Sequence, residues 1–464
     1  MFASLHLITD VGTAMAKGWA KQSNHRGEEN SPSHVEALDI IKNTTFAKTE
    51  WKLPPSKSHL IRMMHLCALS KEEHTLNGIA SLGEDPGSMA RCLEQLGVKI
   101  SLEKEILSIQ GPGILDFIRP TAVLDAGNSG TALRLLMGLA SRTNFPIMLD
   151  GDESLRNRDH QDLLNSLKSL GVECSYEYEQ ERLPVVLRGP WDKYHVSVDT
   201  SKSSQPYSSL LLATEGIQQP CVIERSSTAV SKRHAQLTMD LMRECGAVIE
   251  HDKNKVIVHP WRSKPPKKWV VPPDASMLAF TALSCIVSNR EIIVANIPRK
   301  EDSIGHEVLL ETLPEIGLSL KQNSLTPLGT YSSVDIDLVD ANDLLPPLSA
   351  ILALTGGGTI SGAAHAMFKE SNRIEKTAQM LQQFGIDCKI KQDGIEIKGN
   401  QSVQKPLSMV ETFGDHRLQM TAIILATKVG AIVEGPELHQ IADPSFLERL
   451  STMPAKVLVK RVQG

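Results

Sequence analysis

Thr377-Ala-Gln-Met-Leu-Gln-Gln-Phe-Gly385-Ile-Asp-Cys-Lys-Ile-Lys391-Gln-Asp-Gly394-Ile-Glu-Ile-Lys398 is the stretch from which the fold class follows. An amphipathic helical run ends in Gly385, a residue that accepts the left-handed conformation closing a helix. Two short alternating strands follow, 386–391 and 395–398, joined by Asp393-Gly394, a dipeptide suited to a tight hairpin. The same order of helix, glycine and strand pair recurs at 89–97, 163–171, 237–246 and 308–317, with the glycines 68 to 75 residues apart. One or two such units arise by chance in any α/β chain; five at near-constant spacing indicate a duplicated α/β unit. A sixth, degenerate copy is expected at 447–453 and 455–461, with Pro454 in the glycine's place.

Most units also carry a second helix. The starts lie at Ser56-Lys57-Ser58, Asn128-Ser129-Gly130-Thr131, Ser203-Ser204-Gln205-Pro206, Pro273-Asp274 and Gly414-Asp415-His416-Arg417, each a capping or turn cluster ahead of a dense apolar run. Runs such as 133–139, 277–286 and 422–426 have so little polar face that central, buried helices are expected. Residues 1–45 lie outside the repeat, and the polar stretch 22–33 marks them as an appended, partly flexible N-terminal extension.

Composition narrows the function classes. A net charge of −5 gives no general attraction to nucleic acid or an anionic membrane, and 4% aromatic residues argue against stacking platforms. Seven scattered cysteines without a CxxC pair fit a reduced intracellular chain, not a disulfide frame or a zinc site. The apolar stretches fall short of the roughly 18 residues of a membrane span, and no secretory leader is recognisable. A cytoplasmic monomer is expected, with no cofactor, no metal, and no nucleic-acid or membrane partner.

Against this neutral background, cations gather at helix starts and nearby loops: Lys57, Arg62, Arg134, Arg158, Lys369, Arg373, His416 and Arg417. One such cation is ordinary solvated surface. The set opposes the helix macrodipoles, a cost that bound phosphate or carboxylate groups would offset. No P-loop, no GxGxxG after a strand and no HExxH is present, so nucleotide or metal chemistry has no motif behind it. Two carboxylates stand out as proton donors or acceptors: Asp343, ahead of a buried helix, and Glu370, between Lys369 and Arg373.

At these residues the sequence resembles the enolpyruvyl transferases, and within them the EPSP synthase family, over roughly residues 46–453. The motifs are Leu53-Pro-Pro-Ser-Lys57-Ser-x3-Arg62, Gly127-Asn-Ser-Gly-Thr-x2-Arg134, Gly151-Asp-x5-Arg158, Ser203-Ser-Gln205, Lys369-Glu-Ser-x-Arg373 and Asp415-His-Arg417. The resemblance implies a two-lobed α/β fold, an inside-out α/β barrel of about six repeated units whose central helices face a cleft between lobes. Lobe I would comprise 46–56 plus 271–464, and lobe II 57–270, with three units each. The implied activity is transfer of the enolpyruvyl group of phosphoenolpyruvate to the 5-hydroxyl of shikimate 3-phosphate, releasing phosphate, a step of aromatic amino acid biosynthesis.

By matching positions, the resemblance assigns Lys57, Ser58 and Arg62 to the carboxylate and hydroxyls of shikimate 3-phosphate. Ser203, Ser204 and Ser231 would take its phosphate and Gln205 its ring, with Asp343 and Lys369 in the same subsite. Phosphoenolpyruvate would meet Lys57, Asn128, Gly130, Arg158, Gln205, Arg373 and Arg417. Asp343 is the candidate base, Glu370 the candidate acid, and Lys57 an assistant at the reacting oxygen.

Three departures from the family pattern bear on this assignment. Asp159 follows Arg158 where the family has proline, and Asn372 replaces an acid. A lysine expected near the C-terminus is missing from Gln440-Ile-Ala-Asp-Pro444. Two alternatives follow: an enolpyruvyl transferase with another acceptor such as UDP-N-acetylglucosamine, or a non-catalytic anion-binding homologue. Residues 150–162 lack the reactive cysteine usual with the UDP-sugar acceptor.

Overall fold

The structure is a computed structural model that describes residues 34–42, 49–176, 182–225, 229–452 and 456–463. The expected polar stretch 22–33 and the turn at 453–455 lie outside the described residues.

Each expected helix–glycine–hairpin unit is present. The helices are Glu84–Gln95, Gln161–Ser169, Lys232–Glu244, Glu307–Thr312 and Arg373–Gln383. Gly97, Gly171, Gly246, Gly317 and Gly385 all have φ between +71° and +96°, a region open to glycine without the Cβ penalty. The fourth helix is shorter than the pattern at 308–317 suggests, ending at Thr312 ahead of Pro314. A proline in that position removes a backbone donor and closes off helix propagation.

Five four-stranded sheets share one topology. In the unit of the opening stretch, Cys388–Lys391 and Gly394–Lys398 form an antiparallel hairpin. Gly394–Lys398 pairs antiparallel with Gly357–Ser361, which pairs parallel with Val334–Asp337. The other four repeat this order of one parallel and two antiparallel pairings. The sixth unit is assembled differently. Val410 bridges in parallel to Val433, and Ala431–Glu434 pairs antiparallel with residues 37–40. Residues 37–40, which the sequence reading leaves outside the repeat, thus supply a strand of this unit, and Ala37, Leu38 and Ile40 are buried. The expected copy near the C-terminus includes the helix Phe446–Thr452 and the strand Lys456–Gln463. Every sheet is open; among the described residues none closes into a barrel.

Six central helices fill the interior: Lys57–Ala68, Gly130–Ala140, Gln205–Leu212, Leu278–Ser288, Leu345–Leu354 and His416–Val429. Apolar residues cover them on almost every side, which is why they pack against one another as well as against sheets. Buried apolar residues form two separate cores. One draws on residues 60–271, the other on 38–53 and 277–450. No helix among the described residues is long and apolar enough to cross a membrane. The seven cysteines form no disulfide among the described residues, and five of them are buried.

Candidate active site

Five of the six central helices begin at one cavity. Its lining includes Lys57 and Ser58, Gly130 and Thr131, Gln205, and His416 from four helix starts, with Asn342 and Asp343 from the turn ahead of Leu345–Leu354. The outer helices add Asp85, His234 and Arg373, Arg62 joins from the helix Lys57–Ala68, and loops add Ser203, Ser204 and Ser231 together with Asn128, Arg158, Lys369 and Glu370. Helix N-termini carry unsatisfied N–H groups and partial positive charge, so their convergence favours anions independently of the side chains.

Ser129 and Asp415 show why the chain turns into a helix at these points. Ser129 Oγ accepts from Ala132 N, and an Asp415 oxygen accepts from Arg417 N. Each satisfies a donor that the first turn leaves open. Asn372 does the same for Arg373–Gln383 by accepting from Glu375 N. An Asn caps as well as an Asp, so this departure preserves the helix start that aims Arg373 into the cavity.

The negative side of the site centres on Arg373, which is buried. Its Nε lies 2.8 Å from Asp415 Oδ2, Nη1 2.5 Å from Asp343 Oδ1 and Nη2 2.6 Å from Glu370 Oε2. Arg417 Nη2 approaches the other Asp343 oxygen at 3.5 Å. Burial alone would raise the Asp343 carboxyl, but Arg417 and Arg373 hold it well below the usual carboxylate range. Glu370 is likewise held low against its burial, first by Arg373 and then by Arg158, whose Nη2 is 3.8 Å away. Burial would lower Lys57, yet Asp85, 3.0 Å from its Nζ, keeps it charged and raised.

The positive side is less compensated. Arg62 is buried and bonds only to Thr238 Oγ1, Ser58 O and Ser208 Oγ, with no ion pair among the described residues. Burial lowers it to about 10. Lys369 is pushed down by burial, partly countered by Asp343. A buried cation without a carboxylate is costly unless a ligand anion completes it. Both nitrogens of buried His416 also lack a hydrogen-bond partner among the described residues, and burial drives its pKa well below the usual value.

Fourteen of the fifteen residues assigned to substrate binding or catalysis line this cavity, as does His416, whereas Arg134 does not. The remaining one, Arg417, stands behind Asp343. Asp85, Thr131, His234 and Asn342 also line it and carried no sequence signal strong enough to single them out. Asp85 could have been found by its position, in Gly83-Glu-Asp-Pro86 at the start of the first outer helix. Glu370, Asp415 and His416 bring possible ligand atoms within 4.8 Å of one another. Arg373 already bonds both carboxylates, so a guanidinium supplies the positive charge there.

The sequence profile described as EPSP synthase (3-phosphoshikimate 1-carboxyvinyltransferase) matches residues 42–450. The chain belongs to the EPSP synthase family. Relatives named 3-phosphoshikimate 1-carboxyvinyltransferase include one from Methanosarcina mazei, 31% identical over 437 residues, covering 90% of this chain and 96% of the relative. Another, from Methanosphaera stadtmanae, is 29% identical over 416 residues, covering 87% and 96%. Among solved structures, EPSP synthase from Acinetobacter baumannii superposes with a TM-score of 0.75 at 23% identity, covering 92% of this chain and 100% of that one. The enolpyruvyl transferase NikO from Streptomyces tendae gives 0.72 at 14% identity, with the same coverage. The fold of this EPSP synthase family member is therefore that of the enolpyruvyl transferases.

The two other departures from the family pattern have distinct surroundings. Asp159 accepts from Lys202 Nζ at 2.7 Å through its carboxylate, and from Arg134 Nη2 at 3.1 Å through its carbonyl. Gln440 lies in the short Leu438–Ile441 turn of helix, donates to Glu437 Oε2, and does not line the cavity. The neutral residue there gives no substitute for the missing lysine.

Proposed function

We propose that this chain transfers the enolpyruvyl group of phosphoenolpyruvate to the 5-hydroxyl of shikimate 3-phosphate, releasing phosphate. The observation that carries the reading is one cavity in which Asp343 and Glu370 share Arg373 while Arg62 and Lys369 have no ion-pair partner among the described residues. Two carboxylates supply base and acid; the uncompensated cations require small anions.

In this reading Asp343, ionised by Arg417 and Arg373, takes the proton of the 5-hydroxyl as its oxygen bonds to C2 of phosphoenolpyruvate. Glu370 gives a proton to the methylene carbon, producing a tetrahedral intermediate. The same carboxylate then removes a methyl proton as the C–O bond breaks, and phosphate departs with the proton that Asp343 took up. Fixed cations and helix starts stabilise the anionic intermediate, since they need no reorganisation during reaction. Glu370 is held ionised in the free protein chiefly by Arg373 and Arg158. A phosphoenolpyruvate anion on those two arginines would offset their pull, raising the carboxyl so that it can carry the proton.

Lys57, Ser58, Arg62, Ser203, Ser204, Gln205, Ser231 and Lys369 form the shikimate 3-phosphate subsite in this proposal, and Lys57, Asn128, Gly130, Arg158, Gln205, Arg373 and Arg417 the phosphoenolpyruvate subsite. The lobes in this reading are 57–270 and 46–56 plus 271–464, a division supported by one core drawn from residues 60–271 and another from 38–53 with 277–450. The free volume of ≈ 80 Å³ is small beside the roughly 300–1,000 Å³ of small-molecule sites, so substrate entry requires the cavity to open. A cytoplasmic location accompanies the reading, supported by seven cysteines that form no disulfide among the described residues.

The test is phosphate release from phosphoenolpyruvate with shikimate 3-phosphate in one arm and UDP-N-acetylglucosamine in the other. Release only in the first arm is expected. Release only in the second reassigns the acceptor, and none in either leaves an anion-binding homologue.

A further inference from the structure

Arg134, on the second turn of Gly130–Ala140, is 9% exposed and makes no ion pair among the described residues. Its hydrogen bonds all go to uncharged oxygens, on three different segments. Nη1 reaches Gly130 O at 3.3 Å and Gln205 Oε1 at 2.6 Å, while Nη2 reaches Asp159 O at 3.1 Å. Burial lowers the guanidinium to about 10. It does not line the cavity; it stands behind Gly130, where a Cβ would lie 2.8 Å from its Nη1.

The chemistry of the pair fixes an orientation. A guanidinium only donates, so the Gln205 amide must turn its oxygen to Arg134 and its NH2 group the other way. Nε2 then donates to Thr131 Oγ1 at 2.8 Å, which uses one of its two hydrogens. Gln205 and Thr131 both line the cavity. Without Arg134 the amide could rotate by half a turn and offer an acceptor instead.

We propose that Arg134 is a positioning residue that sets the Gln205 amide so that the cavity receives an N–H donor, selecting a ligand oxygen of phosphate, carboxylate or hydroxyl type. The ligand's identity rests on the function proposed above; the orientation does not. Asp159 contributes through its backbone carbonyl, which pins the far end of the guanidinium. That contact survives whatever side chain stands at 159, so the departure from the family's proline leaves this part of the site intact.

A double-mutant cycle tests it, with Arg134→Met, Gln205→Ala and the combination, plus Arg134→Lys. Kinetics with phosphoenolpyruvate and shikimate 3-phosphate and calorimetric affinity for inorganic phosphate are both read. Arg134→Met is expected to lose roughly ten- to a hundredfold in kcat/KM, carried mainly by KM, as for loss of a hydrogen bond to a charged group. On the Gln205→Ala background the same change should cost less than about threefold, because the residue it acts through is gone. Arg134→Lys should recover part of the loss. The proposal is overturned if Arg134→Met costs the same factor on both backgrounds, which marks a direct ligand contact, or if it costs nothing. Should Arg134→Met not fold, the Arg134→Lys cycle carries the same test. Wild-type protein without turnover would instead sink the proposed function, and the phosphate affinities would still decide the role of Arg134.

Discussion

Arg373 Nη1 lies 2.5 Å from Asp343 Oδ1, and the same guanidinium holds Glu370 and Asp415, so one buried cation joins the proposed base and the proposed acid. Arg373→Ala takes the ion pair from Asp415 and leaves Asp343 and Glu370 only their longer contacts, 3.5 Å to Arg417 and 3.8 Å to Arg158. Equilibrium denaturation should show a loss of about 3–5 kcal/mol, the range for breaking a buried ion pair by removing one partner. A variant as stable as wild type would mean that water replaces the guanidinium freely.

Glu370 should become protonated when an anion occupies Arg158 and Arg373, the groups that most depress it. Calorimetry of phosphoenolpyruvate binding in buffers of different ionisation enthalpy should report proton uptake near neutral pH. Glu370→Gln should bind the ligand without that uptake and lose turnover. Equal proton uptake in both proteins would assign the proton elsewhere.

Gly130 leaves no room for a side chain. A Cβ there would meet Arg134 Nη1 at 2.8 Å and Arg158 Nη1 at 3.2 Å, and Arg134 is tied at three points. Gly130→Ala must therefore shift the Arg134 guanidinium and crowd that of Arg158. The KM for phosphoenolpyruvate should rise on the order of tenfold, while stability changes by about 1 kcal/mol or less. An unchanged KM would place the phosphoenolpyruvate subsite away from Gly130.

Acid should destabilise this fold through its buried histidines before its carboxylates titrate. Burial pushes His59, His65 and His365 down to about 4 and His160 to about 3. A histidine depressed in the folded state binds its proton in the unfolded chain first. Its contribution is complete above the unfolded value near 6.5 and is lost as pH falls toward the folded value. Each such group steepens the loss by on the order of 1 kcal/mol per pH unit in that window. Urea midpoints measured between pH 7 and 5 should fall steeply, and His365→Asn should flatten the slope.

The helix–glycine–hairpin unit was legible because it is local: a helical run, a left-handed glycine and an alternating hairpin each depend on residues within a few positions. The opening stretch around Gly385 has in the structure the elements its pattern implies. Residues 37–40 were not legible as a strand of the sixth unit. Their partner, Ala431–Glu434, lies at the far end of the chain, and pairing over that separation leaves no periodic trace. His234 escaped for the same reason, since only packing brings it to the cavity that Lys57 and Arg62 line.

The sequence by itself determined the repeated α/β units, the buried central helices and the kinds of charge at their starts, because propensity, capping and hydrophobic spacing act along the chain. Tertiary structure alone decided which charges share a counter-ion and which do not. Beside its sequence neighbour Glu370, Arg373 takes Asp343 and Asp415 from distant segments, while Arg62 takes no carboxylate among the described residues. That difference comes from which helix starts face one another across the cavity, a matter of packing, and it separates a neutralised cation from one that awaits an anion.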